Sequence, residues 1–514
     1  MSSALPRRIA MRSLSLRDSV AISVSSAQSA VKFIMRSQSL RIAVVMFLLP
    51  SLRITSIHAG DDLSTVVPFE IPTIESRALN LVGTNSCAAG SCHGGARLSE
   101  GRSFAAYQIW MRKDPHSTAY EVLNNERSSR MMALLYATEN GPAPHATKEA
   151  RCLNCHVTTE SSGDLQLLPT THAVTDGVGC ESCHGPAKQW LGLHSTIAWR
   201  GLAAEAKSSL GFVDTTADLA GRAQLCASCH VGSPGRDVNH DLIAAGHPRL
   251  NFEFSAFHAN LPKHWDPQSP QPTEIKDVEK DPAFEARAWL TGQLVTAQTS
   301  LRLLQHRTEA DRPWPELSEY ACFSCHHDLK ESSWYQTRRK SKGQFAWGTW
   351  NYGTFPALNE DAGANGQFEN LRQLMQGPSP DRDKVHHQAA DLDLVLEKLI
   401  RQESSRDYSK HGLDQLALQM IVRSRKGDLP AESWDQTAQL YLAAVAISLV
   451  RERTAAGDPR NLTIQNDLEA IRQELLFEDN VDSPRKYSDS QIEVILQRLH
   501  GIQETLTTAE SVDR

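Results

Sequence analysis

The stretch Gly177–Ala187 reads G-V-G-C-E-S-C-H-G-P-A, and its reading decides what kind of chain this is. Cys180 and Cys183 are followed at once by His184. In C-x-x-C-H, two thiols can add across the vinyl groups of one haem while the adjacent imidazole ligates its iron. The unit recurs with Cys152, Cys155 and His156, with Cys226, Cys229 and His230, and with Cys322, Cys325 and His326. A copy stretched to C-x-x-x-x-C-H holds Cys87, Cys92 and His93, so that five sites use all ten cysteines. Zinc knuckles need no histidine directly after each pair, and a disulfide framework does not repeat one spacing. Five covalently attached haem c groups are therefore expected, with His93, His156, His184, His230 and His326 as proximal iron ligands.

A chain of 514 residues has room for two to four domains. Aromatic residues make up only 6% of it, so much of the interior near the motifs is expected to be porphyrin. Residues 1–59 read as a signal or targeting segment: Arg36 and Arg41 precede the apolar run Ile42–Leu49, and Ile57-His58-Ala59 suits cleavage. That run is too short for a membrane span, and export agrees with haem c attachment outside the cytoplasm. A periplasmic or otherwise exported location at the outer face of the cytoplasmic membrane follows as the expectation. Without the leader, 45 basic residues face 59 acidic ones. Such a surface is unsuited to nucleic acid and favours a redox protein partner with a basic docking face.

The expected fold is mainly α with extensive loops. Residues 60–265 hold four haem sites, with Phe104–Met111 and Ser117–Leu123 as short helix candidates, followed by the Pro-rich stretch 262–272. Residues 266–345 add one helix and the fifth site; Asp281 caps that helix, Pro282 lies in its first turn, and Leu290, Leu294, Ala297, Leu301 and Leu304 repeat along it. The Gly/aromatic loop Phe345–Phe355 reads as a core cover or as a wall beside a haem edge. Residues 346–514 form an α-helical C-terminal domain, with Leu392, Val395, Leu396 and Leu399 on one face, Trp434, Ala438, Leu442, Val445 and Leu449 on another, and Ile492, Ile495, Leu496 and Leu499 on a third. Packing on the haem region or self-association through these helices is the use expected of them.

From Gly177 to Pro186 the chain resembles the cytochrome c-554 family of tetrahaem electron carriers. The order of features agrees over residues 80–230: a first haem site, then Trp110 and Asp114-Pro-His-Ser-Thr-Ala119, then C-L-N-C-H-V, G-V-G-C-E-S-C-H-G-P, His194 and C-A-S-C-H. The resemblance implies that His194 closes the first haem, bound by His93, and that His116 closes the third, bound by His184. It further implies an open iron at the second haem, bound by His156, although His172 and His145 stand nearby in sequence. For the fourth and fifth haems the candidates are His247, His258, His264, His306 and His327, while His386, His387, His411 and His500 read as surface residues.

Two functions remain in view. Closely packed haems with paired imidazoles suit transfer of single electrons between redox partners. The alternative is a multihaem reductase or dehydrogenase acting on a small nitrogen or sulfur compound at an open iron, and for it no catalytic residue can be named. Electron transfer is the favoured expectation.

Overall fold

A computed structural model describes residues 81–95, 102–137, 141–159, 175–265, 278–326, 343–358, 362–403, 406, 408–425, 434–476 and 488–507. The leader, most of the Pro-rich stretch, His172 and His327 lie outside these residues, as does the side chain of His411. Among the described residues the chain is helical and without strands, apart from the isolated bridges Ser233–Arg236 and Tyr320–Trp347.

The haem-motif region is built from short pieces with side-chain caps. Helix α1 (Ala106–Lys113) follows a single 3-10 turn at Ser103–Ala105, close to the expected position. Ser117–Leu123, expected as one helix, is instead two 3-10 turns, Pro115–Thr118 and Glu121–Asn124. Asp114 accepts the His116 N–H at 3.0 Å, and Pro115 fixes the first turn, so the segment starts afresh at each cap. Helix α2 (Glu126–Leu135) is capped by Asn125, and α3 (Ala150–His156) by Glu149. Helix α4 (Leu219–His230) carries the fourth motif in its last turns, α5 (His240–Ala245) is capped by Asn239, and α6 (Phe254–Asn260) by Glu253.

Helix α7 (Phe284–Arg307) joins this region to the tail. It begins just beyond the expected cap: Asp281 instead holds the preceding turn, accepting the Ala283 N–H at 2.9 Å and Arg287 Nε at 2.8 Å. One side of α7, with Trp289, Leu290, Leu294, Leu301 and Leu304, enters the large apolar core. Phe284, Ala288 and Val295 pack instead with Phe252, Phe254 and the α4 residues Leu219, Ala223 and Ala227. Gly292 lets these layers meet, because a Cβ there would stand 2.5 Å from Phe254 Cβ.

The tail continues with α8 (Ala362–Met375), α9 (Arg382–Glu403), α10 (Lys410–Arg425), α11 (Trp434–Thr454), α12 (Pro459–Leu475) and α13 (Asp489–Thr507). Leu392 and Leu396 of α9 and Ile495 and Leu499 of α13 are buried, as their spacing predicts. Helix α11 is buried around most of its circumference, and its Gln439 accepts a hydrogen bond from Gln293 of α7 at 3.0 Å. Thr354 Oγ1 donates to the same Gln293 at 2.6 Å, so this polar ladder is satisfied inside the core. Among the described residues no helix is long and apolar enough to cross a membrane.

Trp347, Trp350 and Tyr352 of the Gly/aromatic loop are buried in the large core, and Trp350 Nε1 donates to the Phe252 carbonyl at 2.8 Å. The same loop runs along the fifth motif, where Ala321 N–H donates to the Ala346 carbonyl at 2.8 Å. Arg249 pairs with Asp435 of α11 at 3.0 Å, and Thr349 donates to that carboxylate at 2.5 Å, so the tail is tied to the motif-bearing region. His386 differs from its surface reading: it is half-buried, with Nδ1 2.9 Å from Thr308 Oγ1.

Replacing Gly292 by alanine sets about 1 kcal/mol of helix propensity against an overpacked contact costing about 1–3 kcal/mol. The clash is with a Cβ close to the α6 backbone, so thermal unfolding of Gly292→Ala should show a net loss of stability. A stabilised variant would show that α6 and α7 do not approach this closely.

Candidate haem sites

The third motif is built around a buried carboxylate. Glu181 accepts the N–H groups of Val82 at 3.0 Å, Gly83 at 2.8 Å and Ala187 at 2.7 Å. The first motif begins four residues after Gly83, so one side chain registers the first site against the third. Gly185 follows His184 at φ 78°, where an added Cβ would meet the Gly211 carbonyl at 2.0 Å. Upstream, Trp110 Nε1 donates to the Val178 carbonyl at 3.0 Å and Val178 N–H donates to that of His116 at 3.0 Å. The Trp-to-His segment is thereby laid on the start of the third motif.

Four pairs of imidazole rings face each other at one separation. The ring centres of His93 and His194 are 6.2 Å apart, those of His184 and His264 6.2 Å, those of His116 and His230 6.0 Å, and those of His240 and His326 6.4 Å. Two metal–imidazole bonds of about 2 Å each, plus about 1.1 Å from Nε2 to each ring centre, place two axial imidazoles about 6.3 Å apart across one iron. The residues therefore fit a haem iron at each pair. Hydrogen bonding at Nδ1 is the usual way in which a ligating imidazole is oriented. Here His93 Nδ1 lies 2.8 Å from the Ser103 carbonyl, His194 Nδ1 2.6 Å from that of Leu191, and His116 Nδ1 2.9 Å from the Asp114 carboxylate.

The pairing of His194 with His93 is the one the family resemblance implies. His116 is a correction: it meets His230 of the fourth motif, and His264 takes the place opposite His184. The reason lies in the neighbours of His264. Lys263 Nζ and Trp265 Nε1 donate to the two oxygens of Glu279 at 2.8 Å and 2.9 Å, clamping the histidine between them. Arg222 of α4 donates to the same carboxylate at 2.7 Å; burial would raise the Glu279 carboxyl, but His258 and Lys263 hold it well below the usual range. His258, a candidate for the fourth or fifth site, instead places Nε2 2.9 Å from Arg222 and 3.3 Å from Glu279.

The second site differs. His156 Nδ1 is 2.8 Å from the Ala119 carbonyl, and among the described residues no imidazole stands opposite His156 at the common separation. His247, expected at the fourth or fifth site, lies within electrostatic reach of His156, its Nδ1 2.8 Å from the Pro248 carbonyl. His145 caps the turn Ala146–Lys148, and His306 turns Nδ1 to Glu309 at 3.0 Å. His240 and Glu279 went unnoticed in the sequence: neither belongs to a motif, although Asn239 directly before His240 is a helix-start signal.

None of the ten cysteines is in a disulfide, and no three metal-ligating side chains cluster as a zinc site would require among the described residues. Cys87 lies beside Cys180, and Cys155 beside Cys229, so the first and third sites adjoin, as do the second and fourth. Burial among its neighbours pushes the Cys183 thiol up to about 11, although the residue is exposed at the surface. Burial likewise pushes His184 and His230 down to about 4, so both imidazoles are neutral, as ligation requires. Side-chain clusters in this region are small, such as Ala187, Trp190, Trp199 and Leu210, in contrast to the large core of the tail.

Residues 86–185 match the protein family described as cytochrome c554 and c-prime. Over this region the chain is similar to the cytochrome c-554 family. Cytochrome c-554 of Nitrosomonas europaea is 26% identical over 188 residues, which cover 35% of this chain and 65% of that protein. The chain thus spans just under two thirds of the length of the curated relative it matches. No solved structure matches at a significant level. Similarity to a cytochrome c family implies covalently bound haem c, and the mainly helical fold agrees with it.

Within the cytochrome c-554 segment, Glu181→Gln keeps the shape but replaces one acceptor oxygen with a donor facing backbone N–H groups. Loss of charge-assisted hydrogen bonds at a buried carboxylate predicts a stability decrease of about 2–4 kcal/mol in denaturant unfolding. It also predicts spectral perturbation at the first and third haems ahead of the others. An unchanged unfolding midpoint would contradict the registering role.

Proposed function

We propose that this chain is an exported pentahaem c-type cytochrome that passes single electrons between redox protein partners in the periplasm or an equivalent exported compartment. The observation that carries the reading is the recurrence of facing imidazoles at 6.0–6.4 Å beside C-x-x-C-H motifs. In this reading Cys87 and Cys92, Cys152 and Cys155, Cys180 and Cys183, Cys226 and Cys229, and Cys322 and Cys325 attach the haems. The axial pairs are His93 with His194, His184 with His264, and His116 with His230. Haem c would supply one-electron redox chemistry; at these three sites the paired imidazoles would hold the iron from both sides, which would keep it low-spin and limit rearrangement on reduction. Adjoining first and third sites, and second and fourth sites, favour electron passage within the protein. The acidic balance of the chain beyond its leader favours a basic partner, with association slowing as salt rises.

The alternative, a reductase or dehydrogenase acting on a small nitrogen or sulfur compound, rests on His156, whose opposite face holds no described imidazole at ligand separation. Carbon monoxide binding to the reduced protein separates the two. Five unreactive low-spin haems support a pure carrier, and one haem that binds carbon monoxide supports an open second site.

Mass spectrometry of the matured chain should show five haem additions and loss of the leader through Ala59; fewer additions would remove the pentahaem reading. Electron paramagnetic resonance tests the axial pairs. The His93 and His194 planes are 21° apart, which predicts a rhombic low-spin signal, whereas the pairs at 82° and 84° predict large-g signals. His116→Ala should leave every haem attached and turn the haem of Cys226 and Cys229 high-spin. Conversion of the haem of Cys180 and Cys183 instead would restore the pairing of His116 with His184.

A further inference from the structure

The fifth motif lies outside the matched family region, and its opposite ligand is assigned by no resemblance. We propose that His240 is the second axial ligand of the haem attached through Cys322 and Cys325, and that Arg307 positions it; this rests on the pentahaem reading above.

The His240 and His326 rings stand 6.4 Å apart with planes 20° from parallel, the arrangement of the first site. No other candidate has a ring contact with His326 among the described residues, and His306 turns Nδ1 to Glu309 at 3.0 Å. His258 is held by Arg222 and Glu279, His264 faces His184, His247 neighbours His156, and His327 directly follows His326 and cannot reach the same iron. His240 opens α5, whose cap is Asn239, accepting the Leu242 N–H at 3.1 Å, so the backbone bearing the ring is fixed at a helix start.

Two acidic residues on the approach to Cys322 reach back to the His240 segment. Glu316 accepts the backbone N–H of His240 at 2.8 Å and that of Ser318 at 2.9 Å, so one carboxylate holds the start of α5 and the turn leading to the motif. Arg307, buried at the end of α7, donates through Nη1 to Glu319 at 2.7 Å. Its Nε and Nη2 reach both oxygens of Asp237 at 3.1 Å and 2.5 Å. Asp237 precedes His240 by three residues, and Glu319 precedes Cys322 by three. Trp347 Nε1 donates to the remaining oxygen of Glu319 at 2.9 Å. A planar guanidinium fork therefore spans the two segments that carry the opposed imidazoles, a geometry that an ammonium does not reproduce.

The experiment uses the full haem-loaded chain, with electron paramagnetic resonance, haem-to-protein ratio and haem-peptide mass as readouts. His240→Ala should keep the haem on the Cys322–His326 peptide, lose one rhombic low-spin signal and gain one high-spin signal that added imidazole restores. Arg307→Ala and Arg307→Lys should both give a partial, imidazole-restorable high-spin fraction at that haem, with the other signals unmoved. Unchanged low-spin signals in His240→Ala, with haem present on that peptide, would overturn the ligand assignment alone. No haem on that peptide in the unsubstituted chain would overturn the pentahaem reading instead. An Arg307→Ala chain that is less heat-stable but spectrally unchanged would overturn the positioning role. If His240→Ala does not accumulate, His240→Met decides the ligand: a changed low-spin signal from that haem supports His240, and an unchanged one overturns it.

Discussion

Two imidazoles held about 6 Å apart is the constraint on which the motif-bearing region depends. The partners come from distant points of the chain, His93 with His194 and His116 with His230, so neither ring can be set by its own helix. Local hydrogen bonds take over that task, and the backbone is cut into short capped turns so that ring carriers can arrive from several directions. Asp114 does both jobs, capping a turn through the His116 N–H and orienting the His116 ring. The loop-rich character of this region follows from the need to aim side chains.

Helix α7 is where that style of construction meets an ordinary side-chain core. Its two faces belong to different apolar clusters, and its buried Gln293 is paired with both Gln439 and Thr354. Ion clusters stand at its two ends, Glu279 with Arg222 and Lys263 near the start and Arg307 with Asp237 and Glu319 at the finish. Buried charges of this kind gain little net stability over an apolar core. Here each cluster instead fixes a histidine-bearing segment, His264 at one end and His240 at the other.

Much of this was legible in the sequence where one residue type admits one use. Ten cysteines in five repeats give the proposed attachment sites, and apolar spacing placed α7, α9 and α13. The single helix expected over Ser117–Leu123 is instead two turns, the first begun by the Asp114 cap and Pro115, a local preference that apolar spacing does not register. Opposing ligands were the least legible part. A distal histidine carries no motif, and the choice of His264 over His116 for the third site depends on Glu279, a carboxylate beyond the Pro-rich stretch. The resemblance pairs His194 with His93, whose rings stand 6.2 Å apart; His194 lies close in sequence to the third motif and inside the shared order of features. It misassigned His116, whose facing ring is on α4.

The adjacency of Cys87 to Cys180 and of Cys155 to Cys229 bears on how such a chain is assembled. In an oxidising compartment, two thiols brought together by folding are substrates for cross-linking, and either bond would join two different motifs and remove a sulfur from each. A chain that reached this arrangement before its cofactors arrived would be locked against them. In the proposed haem-loaded protein, thioether formation would therefore have to come first, while the motifs are still apart, and the compact arrangement would then arise from a chain whose reactive sulfurs are already spent. Maturation order is in this sense written into the spacing of the finished fold.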